Sequence, residues 1–90
     1  MKTLGDFRAL NAKVEWHVYE TGNTSFYDDY CNARNETYTT FCSEQRLTSR
    51  DIFQRTLPNT TRLGEDTEEA LAELEVWVRA RIPEAFETSP

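Results

Sequence analysis

Histidine occurs once in the chain, cysteine twice, and glycine and proline three times each. With one histidine, His17, no obvious nucleophile beside it and no glycine-rich loop to cradle a phosphate, no motif for catalysis is present. Cys31 and Cys42 make neither a disulfide framework nor a metal site by their spacing, and both are expected as reduced, half-buried thiols. No long apolar run occurs, so neither a signal peptide nor a transmembrane helix is expected, and the expected compartment is the cytoplasm. Without a secretion signal, three glycosylation-type triplets (Asn23-Thr24-Ser25, Asn35-Glu36-Thr37 and Asn59-Thr60-Thr61) read as chance in a threonine-rich chain.

Positive charge is also in short supply. Ten Lys and Arg stand against sixteen Asp and Glu, a net charge of −6 over 90 residues. That opposes general binding to nucleic acid or an anionic membrane, both of which need a basic footprint. It suits a protein partner with a basic surface. The apolar fraction of 38%, with five Phe, four Tyr and two Trp, suits one folded domain over 1–90. A chain this short has room for one core and no deep cleft. No internal repeat is present and no cofactor is implied.

The local patterns predict an α+β fold. Leu4, Phe7 and Leu10 fall three apart behind Thr3, a helix cap with Asp6 three residues on, giving a short helix to about Asn11. In "AKVEWHVYE", 12–20, Ala12, Val14, Trp16 and Val18 alternate with Lys13, Glu15, His17 and Tyr19, the period of a half-buried strand. "TGNT" suits a tight hairpin turn. Second and third strands are then expected at 24–32 and 37–42, with "NARNE" as the turn between them. Thr48 or Ser49 can cap a short helix carrying Ile52, Phe53 and Leu57, which Pro58 stops. Asp66, with Glu69 three residues on, opens the strongest helix, 66–82, whose stripe is Leu71, Leu74, Trp77, Val78 and Ile82. The expected architecture is a three-stranded antiparallel sheet covered on one face by this helix, with one or two short helices beside it. Its core would hold Val14, Trp16, Val18, Leu71, Leu74, Val78 and Ile82. The tail 84–90 is expected to fray unless Phe86 docks.

"FYDDYC", 26–31, sets Asp28 and Asp29 among Phe26, Tyr27 and Tyr30. On a strand, either register gives each sheet face one Asp and at least one aromatic, and sets His17 opposite Asp28 or Asp29. A general base oriented by a carboxylate is one reading of that pair, and an ordinary surface ion pair outweighs it. Adjacent strand residues point to opposite faces, so His17, Asp28 and Asp29 make a poor metal set. The uncovered sheet face, with Tyr19, Phe26, Asp28 and Tyr30, becomes a candidate protein-binding patch.

Charge is segregated along the chain. Arg46, Arg50, Arg55 and Arg62 precede a run of six acids without a base: Glu65, Asp66, Glu68, Glu69, Glu73 and Glu75. On a helix, Glu65, Glu69 and Glu73 form a column opposite the apolar stripe, flanked by Glu68 and Glu75. Such a column presents charge loosely as a phosphate backbone does, and would be steered toward a cationic groove. The expected function is a non-enzymatic, acidic protein-binding inhibitor of the phage- or plasmid-encoded kind. It would block a host nucleic-acid-handling machine, such as a CRISPR effector, by covering its basic surface. An accessory or immunity-type binding module is the alternative, and a small nucleic-acid binder using the Arg46–Arg62 block is third.

Overall fold

A computed structural model of the chain describes residues 2–48 and 57–87. Among the described residues the fold consists of three α-helices, α1 (Leu4–Thr21), α2 (Thr24–Gln45) and α3 (Glu65–Arg81), followed by a 3-10 helix, Pro83–Phe86. The expected three-stranded sheet is absent among the described residues, for its strands at 12–20, 24–32 and 37–42 fall on α1 and α2. Among the described residues the β pairing is one isolated bridge, Thr3 to Arg62. The expected short helix around Ile52 and Phe53 lies on residues outside the described ones.

The alternation that suggests a strand at 12–20 is overruled by a longer period. Leu4, Phe7, Leu10, Val14 and His17 recur every three or four residues along α1, and all five are buried. One continuous ladder of hydrogen bonds buries that stripe, whereas a strand at 12–20 would break it in the middle. Trp16 is the casualty of the correction: it is 61% exposed, on the face opposite Val14. The start of α1 matches its sequence signal, for Thr3 N–H donates to the Asp6 carboxylate at 2.8 Å. The two next donors, on Leu4 and Gly5, are met by the carbonyls of Thr61 and Asn59 at 2.7 and 2.9 Å. The chain between α2 and α3 therefore closes the otherwise unsatisfied end of α1.

Gly22 and Asn23 do not turn a hairpin. Gly22 ends α1 in the left-handed region, φ 69, with its N–H donating to the Val18 carbonyl. Asn23 starts α2, its side-chain oxygen accepting from Phe26 N–H at 3.2 Å. The residue types that suit a tight β-turn are also those that stop one helix and cap the next.

α2 runs through the whole of 24–45, including "NARNE" and "TYTTFC". Its Thr, Asn, Asp and aromatic residues are modest helix formers, so packing supplies what propensity does not. Phe26, Tyr30, Thr37 and Phe41 are buried at helical spacing, with Ala33 packed among them. α2 and α3 make the most extensive helix contact and run antiparallel: Glu44 meets Thr67, Thr37 Oγ1 donates to the Ala70 carbonyl at 3.3 Å, and Phe26 stacks on Trp77 at 5.7 Å. Leu71, Leu74, Val78 and Ile82 are buried as expected.

α3 begins one residue earlier than expected and is capped differently. Gly64 is its N-cap, and the oxygens come from Glu44 on α2. The Asp66–Glu69 capping box is therefore corrected to a cap supplied in trans by another helix. Ile82, before Pro83, ends the helix as a proline boundary requires. Cys31 and Cys42 are both free and lie on α2, not on neighbouring strands. Eleven residues of helix separate them by about 16 Å, well outside the roughly 7 Å between Cα atoms that a disulfide can span. No helix among the described residues is long and apolar enough to cross a membrane.

Candidate functional site

The residues proposed from sequence divide into two groups. The glutamate column is real as a surface: Glu65, Glu69 and Glu73 are exposed on α3, and Asp66 is exposed beside them. Their exposure follows from the stripe Thr67, Leu71, Leu74 and Val78, which pins the opposite side of the helix to the core. The flanking acids are tied down. Glu68 accepts the Lys2 backbone N–H at 2.7 Å, and Glu75 lies 3.7 Å from Lys2 Nζ and 3.5 Å from Arg79 Nη2. Glu65, Glu69 and Glu73 make no ion pair among the described residues.

α2 extends this acidic surface, which sequence reading missed. A groove of about 180 Å³ between α2 and α3 is lined by Ala33, Thr37, Ala70 and Leu74, with Glu36 from α2 and Glu73 from α3. Small residues let the helices approach, and each helix then contributes a carboxylate to the same groove. The hint in sequence was Glu36 beside Thr37, since Thr37 belongs to the buried stripe.

The aromatic patch does not form. Phe26 and Tyr30 are buried, Asp28 is exposed on the outer side of α2, and Tyr19 stands 80% exposed on α1. The physical reason is the helical period: Phe26 and Tyr30, four apart, share the inner face, and Asp28 falls away from it. Tyr30 donates its hydroxyl to Asn11 Oδ1 across the α1–α2 contact. Burial raises its ionisation well above the ordinary tyrosine range. The His17–Asp28 or His17–Asp29 pairing is likewise corrected. His17 is buried edge-on to Phe26 at 5.8 Å, and its nearest carboxylate is Glu84, with Nδ1 4.0 Å from Oε1.

In place of a sheet face, the most exposed aromatics among the described residues are Trp16 and Tyr19, stacked on each other at 5.6 Å along the outer face of α1, with Tyr38 of α2 less exposed. Ala12, Trp16 and Tyr19 fall four and three apart, so the helical period could have found this ridge. The basic residues of α3 are occupied by rings: Arg79 lies 4.5 Å from the Phe86 centroid and Arg81 4.1 Å from that of Trp77. Arg46 and Arg62, the described members of the arginine block, are exposed. Among the described residues no group of three or more His, Cys, Asp and Glu could hold a metal ion. Comparison with protein-family models, with curated proteins and with solved structures finds no match.

Proposed function

We propose that the chain is a small protein-binding inhibitor whose α2–α3 acidic face covers a basic surface on a nucleic-acid-handling machine. One observation carries the reading: Glu65, Glu69 and Glu73 stand exposed in a column that makes no ion pair among the described residues, and Glu36 joins Glu73 across the groove. Successive members of the column are about 6 Å apart along the helix axis. A row of unneutralised carboxylates raises the local concentration of a cationic partner and speeds encounter, while like charge turns nucleic acid away. A host machine of the CRISPR-effector kind offers such a surface, and an inhibitor of this sort needs no catalytic group. The net charge of −6 works in the same direction.

The test is competition. The chain should displace a fluorescent duplex from its target in an anisotropy assay, over a panel of basic nucleic-acid-binding proteins. Glu69→Lys/Glu73→Lys should weaken that displacement by several kcal/mol, through lost attraction and new repulsion. Wild-type displacement should fade above roughly 0.15 M salt, where the screening length is about 8 Å. Displacement that ignores both changes refutes the acidic-face reading. Salt-sensitive binding of the chain itself to nucleic acid would favour the arginine block instead.

A further inference from the structure

Beside the Trp16–Tyr19 ridge, the last turns of α1 and the 3-10 helix enclose a cleft of about 320 Å³. Lys13, Trp16, His17 and Glu20 line it from α1, and Glu84 and Ala85 from the other side. Its chemistry is specific. The Trp16 indole is 61% exposed and forms part of the wall. The His17 side chain is 8% exposed and makes no hydrogen bond among the described residues; Glu84 Oε1, at 4.0 Å, is beyond hydrogen-bond reach. No buried side-chain nitrogen among the described residues lacks a partner. The unbonded nitrogens of the His17 ring therefore open onto the cleft rather than into the core.

Two carboxylates, Glu20 and Glu84, complete the lining, and Glu84 is 61% exposed. The cation of the lining, Lys13, is itself engaged at the Ala85 side of the cleft: its Nζ lies 5.0 Å from the centroid of Phe86 and 3.4 Å from the Ala85 carbonyl oxygen, to which it donates. An aromatic wall and two carboxylates, beside the open His17 ring, are complementary to one chemical group above others, a planar cation with several N–H donors. Guanidinium stacks on aromatic faces and bonds carboxylates through a fork, whereas an ammonium is a strongly hydrated point charge.

We propose that this cleft seats an arginine side chain of the protein partner, the guanidinium lying against Trp16 beside the His17 ring and donating to Glu84 and Glu20. The inference rests on the reading above that the partner is basic, and adds the residue type that anchors it. The acidic face then supplies long-range attraction and the cleft supplies short-range selection.

The probe is an end-blocked Gly-Arg-Gly peptide titrated into the full chain, read by the indole N–H resonances of Trp16 and Trp77. Trp16 should shift saturably at millimolar peptide and Trp77 should stay still. The same peptide with citrulline, which keeps the shape and loses the charge, should bind about tenfold more weakly. Glu84→Gln, which keeps the Trp16 reporter, should weaken the arginine peptide by about three- to tenfold. Glu69→Lys/Glu73→Lys should leave peptide binding unchanged at about 0.15 M salt, so that a failed acidic face and a failed cleft give different results. Equal binding of citrulline, or no Trp16 shift at millimolar peptide, overturns the proposal. A Trp16 shift that follows protein concentration without peptide also overturns it, because a second copy would then cover the ridge.

Discussion

The Glu44 carboxylate on α2 accepts hydrogen bonds from both the backbone N–H and the hydroxyl of Thr67 in the first turn of α3. It also accepts from Asp66 N–H at 3.1 Å. A helix start normally satisfies its free donors with its own N-cap side chain, but Gly64 has none to offer. Its lack of a Cβ is what admits the carboxylate, for a methyl group at Gly64 would land on it. One residue thus ties the end of α2 to the beginning of α3.

This cap has an acid signature. The Thr67 hydroxyl first, and the Thr67 and Asp66 N–H groups with it, hold Glu44 below its ordinary value of 4.5. A carboxyl lowered in the folded state stabilises the fold above its unfolded value, and that stabilisation is lost as pH falls through the folded one. The gap in denaturant midpoint between wild type and Glu44→Gln should be full at neutral pH and should close below about pH 4. Gly64→Ala should displace the same carboxylate. The double variant should therefore lose less than the two single losses added, and strict additivity would show that Glu44 caps nothing.

Trp16 and Phe41 make a contrasting pair. Trp16 is an exposed aromatic and Phe41 is 3% exposed in the core. Phe41→Ala should cost about 3–5 kcal/mol in urea unfolding. Trp16→Ala should cost no more than about 0.5 kcal/mol. The sheet expected from sequence requires a large loss at Trp16, so this measurement decides between the two architectures. Far-ultraviolet circular dichroism of the wild type should show strong helical minima.

Gly22 offers a narrower check. Its φ is 69 and an added Cβ meets no atom within 4 Å, so the cost of Gly22→Ala is conformational alone. About 1 kcal/mol is expected, and less for Gly22→Asn, because asparagine tolerates the left-handed region better. Differential scanning calorimetry of the two variants should rank them in that order. A more stable Gly22→Ala protein would exclude this helix end.

These cases show what was legible in the sequence. α3 was readable almost to the residue, because Leu71, Leu74, Val78 and Ile82 repeat at one period and acids and arginines sit at the ends that suit them. The Thr3–Asp6 cap was readable for the same reason: both partners are local. α2 was not, because its buried stripe is spaced by Thr, Asn and Asp that favour turns when read alone, and its stability comes from packing on α3. At Gly22–Asn23 the same residues fit two structures, so local chemistry could not choose. The exposed glutamate column followed directly from α3. Glu36 and the cleft beside Trp16 depend on which helices meet, and Glu44's role depends on a contact 23 residues away in sequence.

Tyr30 gives a test at the opposite end of the pH scale. It is fully buried, its ring 5.5 Å from the Arg34 guanidinium carbon, and its hydroxyl donates to Asn11. Burial disfavours the phenolate and outweighs the attraction of Arg34, so its pKa is raised in the folded chain. The unfolded chain releases that proton near pH 10 while the folded chain keeps it. The unfolded state then binds fewer protons, and stability falls as pH rises from about 10 toward the folded value. Tyr30→Phe removes this titration together with the hydrogen bond to Asn11. At neutral pH the variant should be less stable by about 1 kcal/mol. In urea titrations repeated up to about pH 11 the wild type should lose stability faster, so the two curves approach one another. Tyr27 and Tyr38 are also raised, the first by the neighbouring Cys31 and the second by burial, so part of the alkaline loss should persist in Tyr30→Phe. Parallel curves across the whole range would mean that the Tyr30 hydroxyl is reached by water, and that the α1–α2 contact is looser than its packing implies.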